Sequence, residues 1–315
     1  MPDNLGPPLD KPLFERVALI GIGLIGSSIA RAVRQLGLAG EIVAIDRDEA
    51  VLARVRELGL ADVCFATAAE GVKGCDLVIL CVPVGACGAV AKEIAGSLRE
   101  GAIVSDVGSV KGAVVAAMEP HLPKHVHFIP AHPVAGTEHS GPDAGFPTLF
   151  LNRWCILTPA YGVAPEAVER LRGFWEKLGS NVEIMSAPHH DLVLAITSHV
   201  PHLIAYNIVG TAADMERVTE SEVIKFSAGG FRDFTRIAAS DPTMWRDIFL
   251  NNKEAVLEML SRFNEDLAAL ARAIRWDDGD ALHDLFSRTR AIRRGIISEG
   301  QETAEPDFGR NRPKD

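Results

Sequence analysis

The feature that most constrains this 315-residue sequence is an alternation of short apolar runs with helical stretches through its first half. The apolar runs, rich in β-branched residues, are typical of buried strands. They read RVALIGIG, EIVAID, CDLVILCVP, GAIVSDV, HVHFIPAH and RWCILTP. Because strands separated by helices can pair in parallel, the pattern predicts a doubly wound α/β fold with a parallel sheet.

The second half of the chain has a different pattern. Beyond the last of these runs, strand patterns give way to long helical periodicities. We therefore expect a sheet domain at residues 14–186 and an all-α domain at 187–298, with the boundary within SAPHHD, residues 186–191. The Pro-rich start, residues 1–13, and the charged end, residues 299–315, are expected to be flexible tails.

One stretch of the second half predicts an unusually long helix. Asp241 is a typical N-cap, Pro242 suits the first turn, and apolar residues recur from Trp245 to Ile274. At a rise of about 1.5 Å per residue such a helix could reach ~50 Å. One small domain cannot cover that length, so we expect the helix to pack against a second copy of the chain and to form a homodimer.

Composition excludes several classes of function. The formal net charge of −10 at pH 7 argues against broad binding to nucleic acid or to an anionic membrane, since both require a basic surface. The five cysteines lack paired CxxC spacing, so neither a disulfide framework nor a bound metal is expected. The N-terminus lacks a signal-peptide pattern, and no apolar run approaches the ~20 residues that span a bilayer, so we expect a cytoplasmic protein.

A glycine-rich turn, GIGLIG, follows the first apolar run and opens the helical stretch SSIARAVRQLG. In this context Gly21 permits a tight turn, Gly23 lets backbone N–H groups approach a pyrophosphate, and Gly26 permits close packing of the helix on the strand. Leu24 and Ile25 complete the predicted phosphate site. The turn and its setting predict a Rossmann-type dinucleotide-binding domain, whereas the glycines alone would be compatible with a simple tight turn.

The ends of later strands supply further cofactor contacts. Asp46 ends the second strand, twenty residues beyond the last of these glycines, where a carboxylate binds ribose hydroxyls and repels a 2′-phosphate. This favours NAD over NADP, although Arg47 could accept that phosphate. Val82, Pro83 and Ser109 follow two further strands, at the edge where ligands bind in such sheets.

Three polar residues share one face of the apolar stretch HDLVLAITSHVPHLIAYNIVG. At about 100° per residue, Ser198, His199 and His202 fall within one arc of ~100°. Pro201 removes a backbone donor there and frees the carbonyl of Thr197. Because polar groups on an apolar helix need polar partners, the three side chains are predicted to face a ligand; a kinked core helix with satisfied histidines is the alternative.

Arginines beside a Gly-Gly turn are the predicted binding groups for an anionic ligand. GGFRDFTRIAASDPTMWR supplies Arg232, Arg236 and Arg246 in a chain whose net charge is negative. Each could instead be a surface or ion-pair residue. A guanidinium can bind a carboxylate through two hydrogen bonds, so one of the three is predicted to hold a carboxylate.

Together these motifs resemble the prephenate/arogenate (cyclohexadienyl) dehydrogenase family. GIGLIGSS, DVGSVKG, HPVAGTEHSG, TSHVPH and GGFRDFTRIAASDPTMWRDI carry the resemblance, which covers about residues 14–298. It implies a Rossmann domain followed by a helical dimerisation domain. It also implies NAD-dependent oxidative decarboxylation of prephenate to 4-hydroxyphenylpyruvate, or of arogenate to tyrosine, in tyrosine biosynthesis.

The resemblance also implies roles for residues of the shared motifs. His132, in HPVAG, corresponds to the catalytic histidine, and Ser109 corresponds to a serine that hydrogen-bonds it. Arg236 corresponds to the arginine that holds a substrate carboxylate. The other substrate-binding positions that it implies are Ser198, His199, His202, Thr137, Glu138, Gly229 and Trp245.

Two other functions are compatible with parts of the sequence. A different Rossmann dehydrogenase with a helical second domain, such as a 3-hydroxyacid dehydrogenase or an imine reductase, would explain the glycine turn and the helices but not HPVAG, SHVPH and DFTRIA together. A non-catalytic NAD-binding module would use the same residues only for structure. The sequence leaves the choice between prephenate and arogenate open, since the two differ by a keto group against an amino group.

Overall fold

The computed structural model describes residues 5–137, 139–216 and 228–298, and its main feature is a six-stranded sheet. The strands are β1 (Phe14–Ile20), β2 (Ala39–Ile45), β3 (Val63–Phe65), β4 (Leu77–Leu80), β5 (Ile103–Asp106) and β6 (His127–Phe128). Their order is β3-β2-β1-β4-β5-β6, and every neighbouring pair is parallel. This is the order of the doubly wound dinucleotide-binding fold, so the predicted fold class is confirmed.

Helices cover both faces of this sheet. Adjacent residues of β1 divide between two apolar clusters: Val17 and Leu19 belong to one, and Ala18 and Ile20 belong to the other. A parallel strand that is buried on both faces needs such a continuous apolar sequence rather than an alternation. The flanking helices are α1 (Leu24–Leu36), α2 (Glu49–Glu57), α3 (Ala68–Gly71), α4 (Cys87–Ile94) and α5 (Lys111–Met118).

A three-stranded sheet follows the main one. It contains β7 (Ala131–Pro133), β8 (Trp154–Leu157) and β9 (Asn181–Ile184), with β7 antiparallel and β9 parallel to β8. Helix α6 (Pro165–Lys177) connects its last two strands. The run HVHFIPAH, predicted as one strand, is divided between β6 and β7, because Pro130 has no N–H with which to continue the first pairing.

The rest of the described chain is helical. Its elements are α7 (Ala187–Leu194), a π-helical turn (Ala195–His199), α8 (Val200–Glu216), α9 (Gly229–Thr235), a 3₁₀ turn (Arg236–Ala239), α10 (Pro242–Asn251), α11 (Lys253–Arg275) and α12 (Gly279–Ser298). The π-helical turn lies just before Pro201, whose missing N–H interrupts the regular hydrogen-bond ladder. The described residues divide into two compact units, one up to Val256 and one from Leu257 onward, and every predicted site residue that the structure describes belongs to the first.

The helix predicted from Asp241 to Ile274 is not continuous. Asp241 does cap its first turn, but the first helix ends at Asn251 and a second begins at Lys253. Asn252 between them has φ −109° and ψ 33°, outside the helical region. Its side chain is buried and bonds to groups elsewhere in the fold, which gives a physical reason for the break. The prediction of a single ~50 Å helix was therefore wrong.

One stretch is more apolar than expected from the sequence. The helical run Ala187–Met215 has 29 residues and a mean hydropathy of 1.5 over its most apolar window, so by length and composition alone it could cross a bilayer. The expectation that no apolar run approaches that length was therefore wrong. The same run carries His190, Asp191 and His199, whose side chains are paired within the fold, and only 28% of its apolar window is buried. Paired polar groups beside an uncovered apolar surface are also typical of a helix that packs against a partner.

Candidate active site

The glycine turn between β1 and α1 leaves room for a phosphate. Gly21 has φ 93°, and a Cβ there would lie 2.8 Å from the carbonyl oxygen of Cys81, while a Cβ on Gly26 would collide with the carbonyl oxygen of Gly21. A Cβ on Gly23, in contrast, would meet nothing within 4 Å. No side chain caps the N-terminus of α1, which begins at Leu24. The turn therefore presents an open helix N-terminus, the arrangement that binds the phosphates of a dinucleotide.

Asp46 lies directly after β2, beside this turn. Its Oδ2 accepts a hydrogen bond from the N–H of Ile22, and its Oδ1 accepts one from the N–H of Asp48, both at 3.0 Å. The side chain is half-buried, whereas that of Arg47 is exposed. The two hydrogen bonds hold a carboxylate where the adenosine ribose lies in dinucleotide-binding folds.

A buried ion pair follows β5. The Nζ of Lys111, whose side chain is fully buried, donates to Asp106 and to the carbonyl oxygen of Ala131, at 2.5 and 2.6 Å. Asp106 also accepts from the N–H groups of Gly108, at 2.7 Å, and Ala131, at 3.2 Å. The ion pair thus bonds to both the N–H group and the carbonyl oxygen of Ala131, the residue that precedes His132.

Three ionisable side chains, His132, His190 and Asp191, form a hydrogen-bonded row, called here the His–His–Asp row. Nδ1 of His132 lies 2.8 Å from Nε2 of His190, and Nδ1 of His190 lies 2.8 Å from Oδ1 of Asp191. Asp191 also accepts from the N–H groups of Lys111 and Gly112, the first residues of α5, at 2.7 and 2.8 Å. Nε2 of His132 makes no hydrogen bond within the described residues and is not among their buried unpartnered atoms. The row therefore ends on a ring nitrogen that a ligand can reach.

Burial decides the protonation of this row. It lowers the pKa of His132 well below its ordinary value, and neighbouring groups that are or can become positive lower that pKa further. These groups are His190, Lys111 and His199. Burial also lowers the pKa of His190, although its hydrogen bond to Asp191 opposes the shift. Both rings are therefore neutral at neutral pH, and His132 is able to accept a proton.

Ser109 is half-buried in the loop between β5 and α5. The resemblance implies a hydrogen bond from Ser109 to His132, but no such bond forms in the described part of the chain. Nδ1 of His132 is paired with His190 instead. Ser109 can therefore bond to the ring only at Nε2, the nitrogen that a ligand can reach.

His199 is buried at the end of the π-helical turn. Its Nδ1 accepts from Nδ2 of Asn252 at 3.0 Å, and the same Nδ2 donates to the carbonyl oxygen of Asp191 at 2.9 Å. His199 consequently carries its proton on Nε2, which is buried and has no acceptor among the described residues. Burial lowers the pKa of His199 to about 4, so the ring is neutral. Asn252 thus links His199 to the backbone of the His–His–Asp row.

His202 and Trp245 form a stacked pair. Their ring centroids are 3.6 Å apart and their planes differ by 22°. Nδ1 of His202 donates to the carbonyl oxygen of Ser198 at 2.8 Å. Burial lowers the pKa of His202, and the cation of Arg236 contributes to that shift. Arg236 therefore lies within electrostatic range of the polar helix face that the sequence predicted.

The structure separates the three candidate arginines. Arg246 is paired with Asp247, its NH2 lying 2.7 Å from the carboxylate. Arg236 and Arg232 are exposed, and neither forms an ion pair with any residue that the structure describes. Of the three arginines, Arg236 alone contributes to the lowered pKa of His202, which is caused mainly by burial. The geometry therefore favours Arg236 as the group that could bind an anion beside the stacked rings.

The other predicted positions are less informative. Val82 and Pro83 follow β4 on the nucleotide side, as expected from the sheet. Thr137 is exposed, and Gly229 begins α9. Glu138 lies outside the described residues. In the described ranges, no group of three or more His, Cys, Asp or Glu side chains could hold a metal ion.

Several residues of the site were not predicted. Asp106 and Lys111 lie within DVGSVKG, where an acidic and a basic residue next to an apolar strand were an available signal. His190 and Asp191 lie within SAPHHD, the segment at the predicted domain boundary. Asn252 lies in an otherwise regular helical pattern, and no local signal distinguished it.

Comparison with known proteins identifies the family. Residues 29–184 match the family model of the prephenate dehydrogenase nucleotide-binding domain, and residues 186–288 match that of the prephenate dehydrogenase dimerization domain. The chain belongs to the prephenate dehydrogenase family. It is an enzyme of tyrosine biosynthesis with prephenate/cyclohexadienyl dehydrogenase activity.

Individual relatives agree with this assignment. The cyclohexadienyl dehydrogenase of Zymomonas mobilis is 43% identical over 287 residues, which cover 91% of this chain and 98% of the relative. The prephenate dehydrogenase of Bacillus subtilis is 33% identical, with 93% of this chain and 79% of the relative covered. Among solved structures, the prephenate dehydrogenase of Aquifex aeolicus in complex with hydroxyphenyl propionate and NAD⁺ has a TM-score of 0.84 at 35% identity, covering 90% of this chain and 98% of that one.

Proposed function

We propose that this chain carries out the NAD-dependent oxidative decarboxylation of prephenate or arogenate, with His132 as the base. The observation that carries the proposal is the accessible Nε2 of a neutral, buried His132 whose Nδ1 is already paired. The substrate is a cyclohexadienol with a ring carboxylate opposite the carbinol carbon. Its oxidation requires a base at the hydroxyl group, a hydride acceptor at the carbinol carbon and a cation for a carboxylate.

The residues around the glycine turn fit NAD. The open N-terminus of α1 and the space at Gly23 suit a pyrophosphate, and Leu24 and Ile25 would supply backbone N–H groups there. The carboxylate of Asp46 would bind the ribose hydroxyls and repel a 2′-phosphate, which favours NAD over NADP, with the exposed Arg47 beside it. When bound, NAD⁺ supplies the acceptor for the hydride.

The proton transfers are assigned to His132. Its Nε2 accepts the hydroxyl proton as hydride leaves the carbinol carbon, so that the C–O bond becomes a carbonyl. The bond from the ring to its carboxylate then breaks, carbon dioxide leaves, and the electron pair enters the ring to give an aromatic phenolate. His132 returns its proton to the phenolate oxygen, so the base is regenerated and no net proton is released.

Substrate binding is assigned to the polar helix face and its surroundings. Arg236 would bind a carboxylate through its guanidinium, because no carboxylate of the described residues already pairs with it. The stacked rings of His202 and Trp245 offer a flat surface against which a six-membered ring could pack. The further residues proposed for the pocket are Ser109, Ser198, His199, Thr137, Glu138 and Gly229.

We also propose that the chain forms a homodimer in the cytoplasm, with its nucleotide-binding domain at 14–186 and its helical domain at 187–298. The family model of the second half is that of a dimerization domain. Ile208 on α8, and Leu267 and Ile274 on α11, are large apolar side chains that the chain itself leaves exposed. Such side chains are what a partner subunit would cover.

The activity itself is tested by incubating the protein with NAD⁺ and either prephenate or arogenate. NADH absorbance and the absorbance of the aromatic product should rise together, and parallel kinetics on the two substrates assign the preference. Formation of NADH with a 3-hydroxyacid but with neither cyclohexadienol would support a different Rossmann dehydrogenase. Absence of turnover with every substrate would support a non-catalytic module.

The role of His132 is tested by His132→Asn, which keeps a polar side chain but removes the base. We expect kcat to fall by roughly 10²- to 10⁴-fold, with NAD⁺ affinity near normal. His121→Asn, the same change at an exposed turn residue, is the control. Nearly full kcat in the His132 variant would show that another group is the base.

The pH dependence follows from the same chemistry. A histidine acts as a base only when neutral, and the pKa of His132 is lowered by burial. Activity should therefore be complete at neutral pH and should be lost as the pH falls below the ordinary histidine value of ~6.5. An activity that increases toward acid pH would contradict this assignment.

A further inference from the structure

The His–His–Asp row begins at a backbone anchor. Helix α5 has no side-chain cap of its own at Val110, and Asp191, which is distant in sequence, accepts the N–H groups of Lys111 and Gly112 in that place. A helix N-terminus favours a negative charge. The carboxylate of Asp191 fits this position, and a carboxylate can only accept hydrogen bonds.

That anchor determines where the protons of both rings lie. Because Asp191 can only accept, Nδ1 of His190 must donate to it and must carry a proton. In a neutral ring the other nitrogen, Nε2, then has a lone pair and accepts. Nδ1 of His132, 2.8 Å away, must consequently donate to His190, and the lone pair of His132 is left on Nε2.

We propose that His190 and Asp191 are positioning residues that keep the proton of His132 on Nδ1 and so keep its Nε2 free to accept the substrate's hydroxyl proton. The inference rests on the proposed role of His132 and adds the two residues whose hydrogen bonds select its tautomer. When His132 becomes an imidazolium during turnover, its Nδ1–H stays hydrogen-bonded to Nε2 of His190. No reactant beyond the substrate and NAD⁺ is therefore required.

The surroundings of His190 add a pH dependence. Burial lowers the pKa of His190, and the charge of Lys111 lowers it further, while Asp191 and Asp106 oppose the shift. Burial also lowers the pKa of His132, and no carboxylate is among its causes to oppose that shift. On acidification His190 therefore takes a proton first, on Nε2, and then donates to Nδ1 of His132. That event moves the proton of His132 to Nε2 and removes the base.

Two substitutions of His190 separate positioning from general stability. His190→Leu removes the acceptor for Nδ1–H of His132, and we expect kcat to fall roughly 10- to 100-fold with KM and NAD⁺ affinity little changed. His190→Gln offers a carbonyl oxygen to the same N–H and should stay within about tenfold of the unmodified enzyme. His189→Gln is the matched control at the adjacent exposed position. Equal kcat losses in the Leu and Gln variants would overturn the proposal.

A double-mutant cycle tests whether His190 acts through His132. In the His132→Asn background, His190→Leu should change kcat by less than about twofold, because the ring that it positions is absent. A loss as large as in the unmodified background would refute the positioning role. Full kcat in His132→Asn alone would instead refute the proposed base, so the two failures are distinguishable.

Two readouts report the tautomer without relying on rates alone. ¹⁵N chemical shifts of the histidine rings at neutral pH should show His132 protonated at Nδ1, and protonation at Nε2 would overturn the proposal. The acid limb of the pH profile should move to lower pH in His190→Gln, because the ring whose protonation inactivates the base is gone. An unmoved limb would show that His190 does not control the tautomer.

Discussion

Replacing Lys111 by methionine removes the cation of the buried ion pair that holds the residue before His132. The Lys111 side chain is fully buried and donates both to Asp106 and to the carbonyl oxygen of Ala131. Methionine has a similar length and fills the same space without a charge. The variant therefore leaves the carboxylate of Asp106 buried and retains only its bonds from backbone N–H groups.

The magnitude follows from these contacts. Breaking a buried ion pair by removing one partner costs about 3–5 kcal/mol, and a buried carbonyl that loses its donor costs about 1–3 kcal/mol. The surviving N–H bonds to Asp106, from Gly108 and Ala131, offset part of the sum. We expect the free energy of unfolding to fall by about 4 kcal/mol, which at about 2–4 °C per kcal/mol lowers Tm by roughly 8–16 °C.

Thermal unfolding followed by circular dichroism measures this change. The control is Lys92→Met, the same substitution at an exposed position of α4, which should change stability by less than about 0.5 kcal/mol. Adding Asp106→Asn to the Lys111 variant removes the unpaired charge and should restore part of the lost stability. A Tm for Lys111→Met equal to that of Lys92→Met would refute the reasoning, and so would a double variant less stable than Lys111→Met.

Three further predictions concern the cofactor, the substrate and the assembly. Asp46→Ala should reduce the preference for NAD over NADP, and comparable kcat/KM with both cofactors in the unmodified enzyme would contradict the role of Asp46. Arg236→Ala should raise KM by roughly 30-fold or more, which corresponds to the lower end of the range for losing a charged partner. The control is Arg246→Ala, which should change KM little because the guanidinium of Arg246 already pairs with Asp247. Light scattering at micromolar concentration should give twice the chain mass, and a monomer mass would exclude the homodimer.

The parts of the fold and site that the sequence predicted are those that local geometry determines. The glycine turn and Asp46 were predictable because one strand, one turn and one helix set their positions. His132 was predicted from the resemblance of its motif to a known family rather than from local geometry, and its catalytic role stays a prediction. Its partner His190 lies 58 residues away, and the N–H anchor of Asp191 at Lys111 lies 80 residues away. No periodicity reports such pairings, because they arise only when α7 packs against the N-terminus of α5.

The failed prediction at Asn252 has the same origin and shows how the end of α10 is bonded to the site. A single asparagine costs a helix only up to about 0.7 kcal/mol in propensity, so the apolar periodicity through α10 and α11 outweighed it in the prediction. Both hydrogens of its Nδ2 are nonetheless used, on the carbonyl of Asp191 and on Nδ1 of His199. Two hydrogen bonds to buried acceptors outweigh the loss of helical geometry at a single residue. Local rules fail most often where a residue serves a functional site. Here the helix is interrupted at Asn252, whose side chain fixes the tautomer of the buried His199.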